Sequence, residues 1–206
     1  EPDPARNEVD ITYVLAEKSS SQIQLQGGWG ANRIVGSLNL VFDNFSTQNI
    51  FNGKSWSPLP SGDGQRLSLS ASSNGAYYQN YNISFTEPWL GGKRPTSFTV
   101  GAVHSAFDQE SFGLGSLKIT RAFVGLGTQL KWPDDFFSLS GTLTLETINL
   151  NKYQNGQFFV DGAAVTTGNF KNFHLTGTIS SSSVAEPIFP RRGSRISLSV
   201  QFTPPY

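Results

Sequence analysis

The stretch RLSLSASSNGAYYQNYNISFTE, residues 66–87, decides the fold of this chain. On its first limb Leu67, Leu69 and Ala71 alternate with Arg66, Ser68, Ser70 and Ser72. On its second, Tyr81, Ile83 and Phe85 alternate with Asn80, Asn82, Ser84 and Thr86. Successive side chains of a β-strand point to opposite faces, so each limb reads as a strand with one apolar and one polar face. Asn74-Gly75 between the limbs marks a turn.

The same period of two recurs in both directions. Upstream, Ile23, Leu25 and Trp29 alternate with Gln22, Gln24, Gln26 and Gly28, and Leu38, Leu40 and Phe42 with Ser37, Asn39 and Asp43. Downstream the apolar series continues through Phe98, Val100 and Ala102, then Val124, Leu126, Leu130 and Trp132, then Leu139, Leu143 and Leu145. It closes with Phe173, Leu175 and Ile179, then Ile196, Leu198, Val200 and Phe202. Helical spacing is nearly absent. These segments make nine strands of about ten residues, after an earlier strand over residues 9–17. Globular strands average about 5–6 residues, whereas strands that cross a bilayer at a tilt need about 9–11. The longer class fits.

Composition points the same way. Of 206 residues only 15% are charged, against about 25% in soluble domains. A β-sandwich would carry Lys and Glu on its solvated face. Here that face is filled by Ser, Thr, Asn, Gln and Gly, which suits the wet, enclosed lumen of a membrane barrel. Lys+Arg 15 balance Asp+Glu 15, so the basic footprint of a nucleic-acid binder is missing and no nucleic-acid partner is expected. With no Cys there is no disulfide, thiolate nucleophile or Cys-ligated zinc. No apolar run of about 18 residues offers a transmembrane helix. A start at Glu1 and the lack of any Met predict a processed product or a piece of a longer protein.

The connections differ at the two strand ends. Pro133-Asp134-Asp135 between Trp132 and Phe136-Phe137, then Glu87-Pro88-Trp89-Leu90-Gly91-Gly92, and Phe189-Pro190-Arg191-Arg192-Gly193 read as short turns with aromatic flanks. Trp89, Trp132, Phe136, Phe137 and Phe189 are therefore expected to form an interfacial aromatic girdle. Asn74-Gly75, residues 109–117 and residues 151–168 lie at the opposite ends. The exception is residues 45–63, a long Pro/Gly/Ser-rich connection on the short-turn side, expected to fold against something else.

Several stretches resemble one family. NEVDITYVLAEK (residues 7–18) resembles the last strand of the final POTRA domain of Omp85 proteins, and SQIQLQGGWG (21–30) the first barrel strand after it. FDNFSTQNIFNGKSW (42–56) is similar to the connection after the second strand, and ISFTEPWLGGKRPTSFTVG (83–101) to the fourth strand, its Pro-aromatic turn and the fifth strand. FPRRGSRISLSVQFTPP (189–205) resembles the turn and ninth strand. The resemblance implies an all-β, antiparallel up-and-down transmembrane barrel segment, nine strands of a sixteen-strand type. It assigns residues 1–19 to the end of a POTRA-like periplasmic domain and 20–206 to the barrel. The sixth extracellular loop with its VRG[FY] motif and the closing strand of the family have no counterpart in these residues.

Within the family the likeness is to outer-membrane protein assembly factors. It implies an outer-membrane location with the N-terminal segment and short turns on the periplasmic side. It also implies unfolded outer-membrane clients, accessory lipoproteins and membrane lipid as partners, and no cofactor. In such proteins the first barrel strand is a weakly closed edge that templates incoming strands. Carried over, the edge is Gln22, Ile23, Gln24, Leu25, Gln26, Gly27, Gly28, Trp29 and Gly30. The glycines weaken pairing in the upper half of that strand, unless they merely bend the barrel or clear room for a bulky neighbour. A two-partner-secretion transporter or passive pore, and a soluble carbohydrate-binding β-sandwich, are the alternative readings.

Catalytic chemistry finds little support. His104 and His174 each sit alone on a strand and read as lumen or rim side chains. Asp134-Asp135 reads as turn chemistry. Gly125-Leu126-Gly127 and Gly91-Gly92-Lys93 open no helix and so make no phosphate cradle. No enzyme and no metal site is expected.

Overall fold

The computed structural model describes residues 2–3, 8–9, 21–30, 33–56, 58–92, 95–154, 158–160, 162–184 and 192–204. Nine strands form one sheet. They are β1 (Gln22–Gly30), β2 (Arg33–Phe45), β3 (Gln65–Asn74), β4 (Tyr78–Glu87) and β5 (Thr96–Asp108). There follow β6 (Ser116–Gln129), β7 (Phe137–Asn151), β8 (Gly168–Ser182) and β9 (Arg195–Phe202). Each strand pairs antiparallel with the next in sequence, so the order across the sheet runs from β1 to β9 without a crossover. Among the described residues no second sheet covers the face of this one, as a sandwich requires. The sandwich alternative therefore falls.

Near the N-terminus, Pro2–Asp3 pairs with Glu8–Val9. Beyond Val9 the expected strand over residues 9–17 lies outside the described residues.

The register converts the alternation into two faces. Ile23, Leu40, Leu69, Ile83, Ala102, Ala122, Leu145 and Phe173 lie side by side across eight strands. On the other face the neighbouring row reads Gln24, Asn39, Ser70, Asn82, Val103, Arg121, Glu146 and Asn172. Arg121 and Glu146, directly opposite one another, form an ion pair on this polar face.

The accessible surface is 15180 Å². A compact monomer of 22.4 kDa would expose about 9,400 Å². The excess is what a single layer exposes when its apolar face has no protein partner. Ile23, Leu25, Ile83, Leu126, Leu145 and Leu198 are all half exposed or more. An exposed apolar surface of this extent needs a non-aqueous neighbour, and a lipid bilayer supplies it.

Strand tilt follows from the same register. The row through Gln26 continues through Ser37, Ser72, Asn80, Ser105, Ile119 and Ile148 to Phe170. Gln26 is the midpoint of the apolar stretch of β1, residues 23–29. The corresponding midpoint of β8 is Thr176, six residues further on after seven strand steps. At about 3.3 Å per residue and 4.8 Å per strand, the apolar band crosses the strands at about 30° from perpendicular. That is close to the roughly 35–45° tilt of outer-membrane barrels.

The polar face is not polar throughout. At the long-connection end, Leu117, Leu150 and Tyr153 are buried, and Phe107, Ile119, Ile148, Phe158 and Phe170 pack around them. The strand members of this cluster all lie on the inward face. Tyr153 and Phe158 come from the connection between β7 and β8, where Phe158–Val160 and Ala163–Val165 form a small hairpin. The connection thus folds inward over the end of the sheet and brings its own small core.

Gly101 shows how closely the inward face is filled. A Cβ there would lie 2.5 Å from Cζ of Phe123 and 2.7 Å from the Ile83 carbonyl oxygen. Gly101→Ala is expected to destabilise the barrel by about 1–3 kcal/mol, read as a lower midpoint of urea unfolding for the protein in detergent. An unchanged midpoint would mean that Phe123 does not lie over this glycine.

Candidate functional site at the first strand edge

β1 hydrogen-bonds along one side only among the described residues. Its ladder runs from Gln22 opposite Val41 to Gly30 opposite Arg33. The lower half is held by cross-strand apolar pairs, Ile23 with Leu40 and Leu25 with Leu38, the kind of contact that stabilises a sheet beyond its hydrogen bonds. In the upper half Gly27 faces Gly36 and Gly28 faces Val35. No side-chain pair forms at either row. The nearest polar contact, from Ser37 Oγ to Gln26 Oε1, is stretched to 3.5 Å.

The glycines are not required by backbone or space. Neither Gly27 nor Gly28 has a positive φ. A Cβ at Gly27 would meet only the Val35 carbonyl oxygen at 3.9 Å, and one at Gly28 would meet nothing within 4 Å. The reading that they clear room for a bulky neighbour has no support among the described residues. Their direct energetic effect is that each costs roughly 0.5–1 kcal/mol relative to alanine through backbone entropy. On the inward side these rows open into a shallow hollow of about 430 Å³ bounded by Gln26, Gly28, Val35, Ser37, Asn74 and Tyr78.

The opposite edge has a different character. β9 contains no glycine and carries Ile196, Leu198, Val200 and Phe202, each at least 60% exposed. Such an edge offers a large apolar side chain at every outward row, whereas β1 has Gly27 in place of one of its own.

Of the five residues expected in an aromatic girdle, three stand exposed at the short-turn end. Trp89, Trp132 and Phe136 sit at one end of the sheet and are 55%, 82% and 56% exposed. Trp89 is positioned by its own N–H donating to Glu87 Oε1 at 2.9 Å and by Gly91 and Gly92, both in the left-handed region. Phe136 is positioned by its N–H donating to Asp134 Oδ1 at 2.9 Å, so Asp134 does serve the turn. Phe137 is instead the first residue of β7 and half-buried. Phe189 lies outside the described residues. Trp132 follows the end of β6 rather than belonging to it.

The histidines separate. His174 faces inward, its Nδ1 buried without a hydrogen-bond partner. His104 is not a lumen residue. It lies on the outward face in the row of Tyr81 and Thr120, with Nδ1 2.9 Å from Thr120 Oγ1. Parity carries the signal, because position 104 continues the even-numbered series Phe98, Val100, Ala102. No group of three or more His, Asp or Glu able to hold a metal occurs among the described residues.

The spacing also missed Ile50, Phe51 and Trp56, which are 40%, 99% and 47% exposed in the connection between β2 and β3. They stand at the same end of the sheet as Trp89 and Trp132. Their signal was the presence of large apolar residues in a connection otherwise made of Ser, Asn, Gly and Pro.

An open, tilted wall with an apolar outer face, a polar inner face and one glycine-weakened edge defines a segment of a membrane β-barrel. Residues 61–206 match the Omp85 superfamily domain, and the chain belongs to that superfamily, which places it in a bacterial outer membrane. Among solved structures it is similar to the crystal structure of BamA from Haemophilus ducreyi lacking POTRA domains 1-3. That match has a TM-score of 0.54 and 19% identity, and it covers 92% of this chain and 35% of that one. The chain thus spans about a third of the length of that crystallised chain. No curated protein sequence matches it.

Gly27→Ala with Gly28→Ala is expected to firm the β1–β2 ladder by roughly 1–2 kcal/mol in all. Hydrogen exchange of the amides of residues 26–30 should slow by about five- to thirty-fold on that scale. Exchange as fast as in the parent protein would show that the glycines do not set the weakness of this edge.

Proposed function

We propose that this chain is the first part of the barrel of an outer-membrane protein assembly factor, and that β1 templates incoming client strands. An edge strand presents a row of backbone N–H and C=O groups, and a client strand added there is held chiefly by main-chain hydrogen bonds. Such templating tolerates many client sequences because the backbone is common to all. The observation that carries this reading is the pair Gly27 and Gly28, required by neither φ nor packing, on the strand that ends the sheet.

The superfamily and the BamA-like fold support the same class of work. In this reading residues 1–19 end a POTRA-like periplasmic domain and the short turns face the periplasm. The partners are unfolded outer-membrane clients and accessory assembly proteins. Templating runs on strand pairing and needs no nucleotide, metal or cofactor.

Amides of alternate residues in a strand point to opposite edges, and proline removes the donor. Gln24→Pro with Gln26→Pro therefore blanks one edge of β1, and Ile23→Pro with Leu25→Pro the other. One of these pairs should leave the protein folded in the membrane while client insertion into proteoliposomes falls at least several-fold. Normal insertion by both membrane-assembled variants would sink the proposal.

A further inference from the structure

The connection between β2 and β3 spends its polar groups on itself and leaves its apolar groups outside. The N–H of Ser46 donates to the Pro60 carbonyl at 2.9 Å, that of Gly62 to the Asn44 carbonyl at 3.1 Å, and Asn49 Nδ2 to the Ser61 carbonyl at 2.9 Å. The Thr47 N–H donates to Gln65 Oε1 at 2.8 Å, and Gln65 Nε2 donates onward to Glu87 Oε2 at 2.8 Å. Ser46 is fully buried. Two short 3₁₀ turns, Gln48–Phe51 and Gly53–Ser55, form the tip. A loop tied down this fully is a shaped element, and what it presents is determined by its fold.

It presents Ile50, Phe51 and Trp56. Phe51 is 99% exposed. The indole N–H of Trp56 is already given to the Ile50 carbonyl at 3.3 Å, so the ring offers only apolar surface. Lys54, exposed beside them, is the one charged residue of the tip; the connection's other charge, Asp63, lies at its root and accepts from Ser46 Oγ.

The root of the loop lies on the outward face. Gln65 and Glu87 share the parity of Leu67 and Phe85, and Phe45 meets Phe85 edge-to-face with ring centroids 6.2 Å apart. The patch therefore continues the belt of Trp89, Trp132 and Phe136 at the same end of the sheet. Against the outward face of a membrane wall the neighbour present by construction is lipid. A rigid apolar tip with one cation and no anion fits the boundary between acyl chains and anionic head groups.

From these observations we infer that the β2–β3 connection is a lipid-inserting foot, which seats Ile50, Phe51 and Trp56 in the leaflet on the short-turn side, close to the β1 edge. Lys54 meets the head groups from the same tip. The inference rests on the barrel fold and does not depend on strand templating. Ordinary girdle aromatics sit on turns of a few residues; here a whole folded loop takes their place two strands from the edge.

The chain has no cysteine, so a single Phe51→Cys probe can be placed without touching the packing. The protein is labelled there with an environment-sensitive fluorophore and reconstituted into phosphatidylethanolamine/phosphatidylglycerol vesicles. Its emission should shift to the blue, and nitroxide lipids labelled near the head group should quench it several-fold more strongly than the same label at Ser111, in the connection at the opposite end. Lys54→Glu should reduce that quenching in anionic vesicles and leave it unchanged in neutral ones. Iodide quenching equal to that at Ser111 would overturn the inference. Shielding from iodide without quenching by nitroxide lipids would overturn it too, because it assigns the patch to a protein neighbour.

Discussion

Everything in this molecule depends on one hydrogen-bond ladder carried from strand to strand across a single layer. A globular protein can lose part of a sheet and keep its core. Here the buried apolar residues among those described are few, Val41, Phe42, Leu117, Leu150 and Tyr153, and no second layer covers the sheet within them. Cohesion comes from main-chain pairing and from the lipid that covers the outward rows. In the hydrocarbon region water does not replace a lost partner. Among the described residues β2 to β8 are each held on both sides, and β1 and β9 on one.

The glycines illustrate how the same residue serves opposite ends in such a layer. Gly101 is small because Phe123 and the backbone of Ile83 occupy the space beside it; its absence of side chain improves packing. Gly27 and Gly28 are small with space to spare. Their absence of side chain removes packing, and it does so where β1 has only one neighbour. Composition counts 21 glycines alike. Only the environment of each shows whether it fills or loosens.

Much of the architecture was legible in the alternation of residues, since period two survives wherever one face meets lipid and the other a wet interior. It failed where the inward face turns apolar. Phe107, Leu117 and Ile119 interrupt the pattern, and so β5 and β6 run to Asp108 and from Ser116, well beyond the segments the alternation marked. The hairpin at residues 158–165 was missed for the same reason: its strands are three residues long and their packing is with a connection. The edge at β1 was legible through resemblance to a family and through its glycines. That neither conformation nor space requires those glycines is a three-dimensional fact. His104 shows the converse, a position whose parity was plain in the sequence but whose outward placement became evident only when Tyr81 and Thr120 were seen beside it.

The tilt of the apolar band has a consequence for how the edge can work. Because the band slides along the strands from β8 to β1, residues 27 and 28 lie between Ile23 and Trp29, inside the hydrophobic depth rather than above it. A gap held open there would leave amides and carbonyls facing hydrocarbon. The weak rows thus cannot serve as a door that stands ajar waiting for a visitor. In the templating role proposed above they would favour a swap, in which one strand is displaced step by step as another takes over its bonds, much as one nucleic-acid strand displaces another from a duplex. In such a swap the glycines would govern how fast the exchange starts, and the count of hydrogen bonds at the edge would hardly change from beginning to end.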